Sequence, residues 1–245
     1  MDNTLLVSLS QQLASYRSMD VIANNIANIN TPAYKRESVK FEEYVQQTKP
    51  AEGETGTQNI SFVQDKGTAR DLTQGAATHT GNQFDFAING PGYFTIKTPD
   101  GDRYTRNGHF TLDSSGRIAT EDGNTLQGDG GDVTITSDDG DIHVAKDGTI
   151  TGAHGQLGQL KLVNFANEAA LQKQGASLYS TDQQPTAVAS PQIEQGNLEE
   201  SNVQPVLEIS HMLEVLRAYQ TTANLTQTQE DLERSAIDKL GAAPN

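Results

Sequence analysis

Residues 23–37 read ANNIANINTPAYKRE, and what they form decides how the rest of the chain is organised. Ile22, Ile26 and Ile29 follow Met19 at steps of three and four, the period of one helix face. Thr31-Pro32 ends that helix, because a residue before proline avoids the α region. Asn24, Asn25, Asn28 and Asn30 crowd its end, although the asparagine side chain competes for backbone hydrogen bonds. Two readings stand for them. They mark a solvated, fraying helix end, or they hydrogen-bond between packed helices and set their register.

Upstream, Leu6, Leu9, Leu13 and Tyr16 keep the same period, but the stripe shifts by a residue between Tyr16 and Met19. All 22 glycines lie at Gly53 or beyond, and none falls between Asn197 and Leu240. Glycine costs a helix interior about 1 kcal/mol against alanine and suits tight turns, so the ends read as helices and the middle as β. The last segment has Asn202 as an expected N-cap and Pro205 in the first turn. Val206, Ile209, Leu213 and Leu216 then follow a three-four spacing, which weakens through Gln220, Ala223 and Gln227. A coiled coil with so polar a seam is marginal alone and calls for partners.

Between the ends, residues 34–83 read as an extended connector or arm. Phe41–Val45 is a short ordered piece, and 46–83 is a polar stretch with Pro50, Gly53, Gly56 and Gly67. From 84 to 165 the signal is β. Short β-prone runs such as Tyr93–Lys97, Arg103–Arg106 and Leu160–Phe165 are separated by Asp100-Gly101, Ser115-Gly116, Asp122-Gly123, Asp139-Gly140 and Asp147-Gly148. Asp-Gly tolerates the positive φ of hairpin turns, so an antiparallel barrel- or sandwich-like domain is expected. Residues 166–199 return as a polar connector. The expected fold class is α+β. Residues 1–33 and 200–241 pair as a coiled-coil polymerisation domain around a β domain at 84–165.

Composition excludes several functions. With no Cys, there are no disulfides, thiolate metal sites or cysteine nucleophiles. The net charge is −15: +1 over residues 1–40, −5 over 197–245 and −11 between them. An acidic chain without a basic stripe is a poor partner for nucleic acid or anionic membrane. Hydrophobic residues make up 34% of the chain, mean hydropathy is −0.58, and no apolar run is long enough to span a bilayer. Asp2 stands where a secretory signal has its basic region, so a cytoplasmic chain or export without a cleaved Sec signal is expected. The five histidines, His79, His109, His143, His154 and His211, match no metal-ligand spacing. Gly128-Asp129-Gly130-Gly131-Asp132 faintly resembles a calcium-binding repeat, but it occurs once and reads as a turn. No catalytic, cofactor or metal residue is assigned.

The quoted stretch resembles the N-terminal signature of bacterial flagellar rod and hook proteins, roughly A-N-N-x-A-N-x-x-T-x-G-[FY]-K. Ala33 replaces the usual Gly, which puts the backbone geometry of that turn in question. Three further segments resemble the family in the same order. They are FDFAINGPGYF at 84–94, YTRNGHFTLDSSGRIATEDGNTLQG at 104–128, and GNLEESNVQPVLEISHMLEVLRAYQ at 196–220. Chain length and Arg70–Gly75 lie nearest the rod members. The resemblance implies a structural subunit without catalysis or cofactor, built into the torque-transmitting rod of the basal body across the periplasm. Its implied partners are copies of itself, other rod proteins and the flagellar export apparatus, with no nucleic acid, membrane insertion or small-molecule substrate.

The residues expected at assembly interfaces are Leu6, Leu9, Leu13, Ile22, Asn24, Asn25, Ile26 and Asn28 in the first helix. In the last they are Val206, Ile209, Leu213, Leu216, Tyr219 and Gln220. Gly92, Tyr104, Thr105, Arg106, Gly108, Phe110 and Gly116 are expected to specify the fold. The alternatives are a distal member of the same rod or, in another class, a free-standing β-rich binding module with oligomerising helices.

Overall fold

A computed structural model describes residues 2–48, 58–175 and 177–241. Pro50, Gly53 and Gly56 of the expected connector lie outside the described residues. The chain divides into two compact units, the first made of Met1–Ala27, Glu37–Arg70 and Gln204–Asn245, the second of Asn28–Arg36 and Asp71–Val203. Both helices and the antiparallel strands give an α+β fold.

The first unit holds α1 (Asp2–Ala27), α2 (Pro205–Gly241) and a hairpin arm of β1 (Glu37–Thr48) and β2 (Gln58–Arg70). The helices run antiparallel: Gln12 of α1 hydrogen-bonds Thr226 at 3.4 Å, and Asn25, further along α1, bonds Glu208 at 3.0 Å, earlier in α2. Pro205 opens α2, where its missing N–H costs nothing and its fixed φ suits the first turn. The arm pairs from Glu37↔Arg70 to Thr48↔Gln58, with a bulge between Val39 and Phe41. Tyr44 stands opposite Phe62, one of the cross-strand aromatic pairs that stabilise a ribbon. Arg17 meets Asp65 at 3.2 Å, but both side chains are nearly half exposed, so the pair contributes under about 1 kcal/mol.

The second unit is built on an antiparallel sheet. Its order is Gln172–Gln174, Leu178–Ser180, Gly101–Thr105, Tyr93–Thr98, Thr125–Gly128, Ile118–Ala119 and Thr111–Leu112. Leu162–Asn164 also pairs with Tyr93–Thr98, and Gly131–Asp132 with Thr125–Gly128. That last pairing makes residues 128–132 a hairpin turn. The described strands do not close into the expected barrel, because the sheet ends at two edges, Thr111–Leu112 and Gln172–Gln174. The glycines of all five turn dipeptides have positive φ, which explains their spacing along the sequence. Residues 166–199 carry further strands. Ile193–Gln195 pairs with Phe86–Ile88, and Asn197–Glu199 pairs with Ala77–His79.

The strand Tyr93–Thr98 is buried on both faces because successive side chains alternate. Phe94 and Ile96 enter a mixed aliphatic and aromatic core with Phe86, Phe110, Leu126, Ile150 and Ile193. Tyr93 enters a second, aromatic cluster with Tyr104, Phe165 and Tyr179. Its rings meet near edge-on, Tyr104 and Phe165 at 4.7 Å and 70°. Tyr93 also donates to Glu168 Oε2 at 2.8 Å, and burial followed by Glu168 pushes its phenol well above the usual range.

Candidate functional site

Two places in the molecule combine residues from distant segments, and they differ in kind. The first is the pair of helices in the first unit. On α1 two sets of residues are removed from solvent: Leu5, Ser8, Gln12, Ser15, Met19, Ile22 and Ile26, and on another side Val7, Ser10, Ala14, Ser18, Val21 and Asn25. On α2 they are Glu208, Met212, Val215, Tyr219, Thr222, Ala223, Thr226, Gln229 and Glu233. Each set steps by three and four, so each is one helix face, and much of it is polar or small.

The larger apolar residues face away. Leu6, Leu9, Leu13 and Tyr16 are exposed, Leu13 by 61%, as are Val206, Ile209, Leu213 and Leu216, Val206 by 76%. The stripe offset at Tyr16–Met19 marks where the apolar side of α1 passes from outward to inward, since Ile22 is buried and Ile26 half-buried. Leu207, Leu225 and Leu232 are exposed as well. At 3.6 residues per turn they fall about 110° from the covered face of α2, on the flank opposite Val206–Leu216. Tyr219 is half-buried in the covered face, whereas Gln220 lies exposed on the outer stripe. An apolar cleft of about 410 Å³ opens between Leu5, Leu6, Leu9, Gln12 and Thr226.

Within this unit Asn25 is fully buried and Asn24 is exposed. The Asn25 amide accepts from Glu37 N–H at 2.9 Å and donates to Glu37 C=O at 2.8 Å and to Glu208 Oε2 at 3.0 Å. One side chain thus joins α1, the start of β1 and α2, which is the register-setting reading of the asparagine cluster. In the second unit Asn28 plays a turn role, its Oδ1 accepting from Thr31 Oγ1 at 3.1 Å.

The second place is a buried ion cluster in the second unit, and it went unseen in the sequence. Glu199 is 1% exposed. Its Oε1 accepts from Lys35 Nζ at 2.6 Å and from Gly75 N–H at 3.1 Å, and its Oε2 accepts from Arg106 Nε at 2.9 Å. Lys35 also donates to the Thr73 carbonyl at 2.7 Å. The Arg106 guanidinium donates to the carbonyls of Gly92 at 2.9 Å and Gly90 at 3.0 Å. Burial holds the Lys35 ammonium below the usual lysine range, Glu199 opposes that shift, and Arg106 adds to it.

Beside the cluster, Asn202 does not cap α2, which begins three residues later. Its Oδ1 accepts from Arg36 N–H at 2.7 Å, and its amide donates to the carbonyls of Asp71 at 2.9 Å and Thr73 at 3.0 Å. Ala33 N–H donates to Glu199 C=O at 2.8 Å. Ala33 has φ 57°, so the turn keeps the left-handed geometry that glycine would take there. The segments 33–36, 71–76 and 199–202 are therefore laced together.

The expected fold-specifying residues sit around this cluster and the two cores. Thr105 Oγ1 donates to Ser177 C=O at 2.7 Å. Gly108 passes so close to Phe86 that a Cβ would lie 1.6 Å from its carbonyl oxygen. A Cβ on Gly116 would lie 2.2 Å from Ile135 O, and one on Gly92 3.2 Å from Val188. Among the described residues no group of three His, Asp or Glu is placed to hold a metal, and no helix is long and apolar enough to cross a membrane.

Comparison with known proteins places these features. The family model described as "Flagella basal body rod protein" matches residues 7–35, "Flagellar hook protein FlgE/F/G D1 domain" matches 87–152, and "Flagellar basal body rod FlgEFG protein C-terminal" matches 194–239. The chain belongs to the flagellar basal-body rod protein family, whose members are structural proteins and not enzymes. A Caulobacter vibrioides relative named flagellar basal-body rod protein FlgF is 41% identical over 98% of this chain and 99% of its own. A FlgF of Mesorhizobium japonicum is 33% identical over 99% of both chains, and a FlgG of Bacillus subtilis is 34% identical over 90% of this chain and 92% of its own.

Proposed function

We propose that the chain is a proximal rod subunit of the FlgF type, polymerising through α1 and α2 into the axial shaft that carries torque. The carrying observation is the outward placement of the larger apolar residues on both helices. A helix that only closed its own domain would turn Leu6, Leu9, Leu13, Ile209 and Leu213 inward. Here the helices meet through a partly polar face and leave those residues for neighbours. On α2 they occupy two flanks, which suits contact with more than one neighbour and hence an extended assembly. In that assembly α1 and α2 act as a coiled coil, and copies of this chain and other rod proteins cover the stripes. The weak internal seam also suits export through the flagellar apparatus with the ends unfolded. The FlgF-type reading over the distal FlgG type is supported by alignment over 98–99% of the chain with FlgF-named relatives, against 90% with the Bacillus subtilis FlgG. A free-standing binding module with oligomerising helices would cover these stripes within a small closed oligomer, not an extended assembly.

The test is polymerisation of the full chain, followed by sedimentation and electron microscopy, with Leu9→Asp and Leu213→Asp. Both variants should lose assembly at least about a hundredfold, since a carboxylate must be desolvated wherever the leucine was covered. The melting of the second unit should stay unchanged. Normal assembly of both variants would overturn the reading.

A further inference from the structure

The ion cluster of the second unit holds two cations around one carboxylate. Lys35 comes from the segment just after α1, Glu199 from the segment just before α2, and Arg106 from the sheet. Side-chain exposure is 4%, 1% and 7%. Glu199 is the only acid paired to either cation at this centre among the described residues. Its backbone carbonyl takes Ala33 N–H, while its side chain takes Gly75 N–H. Asn202, three residues on, takes Arg36 N–H and donates to Asp71 and Thr73. Both chain-end segments therefore close on the body through groups adjacent to a single carboxylate.

We propose that this junction is a latch keyed by Glu199, through which segments 28–36 and 197–203 dock on the body and leave it together, as one cooperative step separate from unfolding of the cores. The charge count gives the latch a sign. With Glu199 present, loss of Lys35 leaves a neutral Glu199–Arg106 pair. With Glu199 gone, Lys35 and Arg106 become two buried like charges that only undocking returns to water.

Native-state hydrogen exchange on the full chain tests this. In Glu199→Gln, amides of 28–36 and 197–203 should exchange on the order of a hundredfold faster, in step with each other. Amides of 93–98 and 125–128 in the sheet should be unchanged. Lys35→Met loses two hydrogen bonds, to Glu199 and to the Thr73 carbonyl, but leaves no unpaired charge, so it should speed the end segments on the order of tenfold, clearly less than Glu199→Gln. In the Glu199→Gln background Lys35→Met should act in the opposite direction and slow them. Four results would overturn the latch: equal effects of the two single variants, opening of one end segment without the other, absence of the sign reversal, or loss of the sheet's protection together with the ends, including outright failure of Glu199→Gln to fold.

Discussion

The two units solve opposite problems with the same amino acids. In the second, Phe86, Phe94, Phe110, Ile118, Leu126 and Ile150 are wholly buried, and the charges it buries are paired. In the first, most large apolar side chains stay in water while serine, threonine and glutamine share the covered helix faces with a few apolar residues such as Met19, Val21, Ile22 and Val215. The second unit satisfies itself. The first has little internal reason to be stable, because packing of an amphipathic face supplies most of a helix's stability. The difference teaches that burial within one chain is a poor guide to what a residue is for when the chain is a part of something larger.

The largest effect expected from breaking this contrast is in the self-sufficient unit. Phe110 packs edge-on against Phe94 at 5.5 Å and tilted against Phe86 at 6.0 Å. Phe110→Ala should cost about 3–5 kcal/mol and lower the melting of the second unit in calorimetry. A cost under about 1 kcal/mol would mean that this core is not packed as described.

In the first unit the corresponding weak point is polar. Asn25→Ala removes the amide that joins α1, β1 and α2, and should cost about 2–3 kcal/mol of local stability through lost buried hydrogen bonds. Circular dichroism of the full chain should show helix loss at a lower temperature, with amide protection of 93–98 intact. If helix melting did not move, the amide would not be what registers the helices.

These contrasts also mark what the sequence discloses. The helices are legible because Leu6–Tyr16, Met19–Ile29 and Val206–Leu216 keep a three-four period that no glycine interrupts. The body is legible because each Asp-Gly or Ser-Gly sits where a hairpin needs positive φ. The arm reads as a connector because Glu42, Glu43, Gln46 and Gln47 dilute the alternation between Phe41, Tyr44 and Val45. The direction of each stripe is not legible, since periodicity defines a face but not what covers it. The ion cluster is hidden for another reason. Lys35, Arg106 and Glu199 each sit in a stretch quoted for its family likeness, yet each alone looks like an ordinary surface charge. Only a fold that crosses segments 164 residues apart makes them one site.

Alkaline titration sharpens the comparison at smaller scale. Tyr93 has a raised folded pKa, from burial first and Glu168 second, and Tyr104 is raised by burial. Above pH 10 the unfolded tyrosines lose protons that the folded ones keep, so stability is fully present below pH 10 and falls as pH rises beyond it. Tyr93→Phe loses one hydrogen bond, about 1 kcal/mol at neutral pH, and should flatten that fall in urea midpoints measured between pH 9 and 11. An unchanged slope would place the alkaline sensitivity elsewhere.

The smallest effect concerns Ala33, where the family pattern has glycine and this chain keeps glycine's backbone. A left-handed L-residue costs roughly 1–2 kcal/mol, which Ala33→Gly would relieve. Against this, glycine gives up about 0.5–1 kcal/mol to the freer unfolded chain, and the buried methyl is worth about 0.8 kcal/mol. These contributions nearly cancel, so Ala33→Gly should shift unfolding by no more than about 0.5 kcal/mol. Ala33→Val, with a β-branch that the left-handed region excludes, should destabilise by about 2 kcal/mol or more. Denaturant midpoints decide it. Stabilisation by Ala33→Gly beyond about 1 kcal/mol would mean that the methyl fills nothing, and that the substitution is strain carried without return.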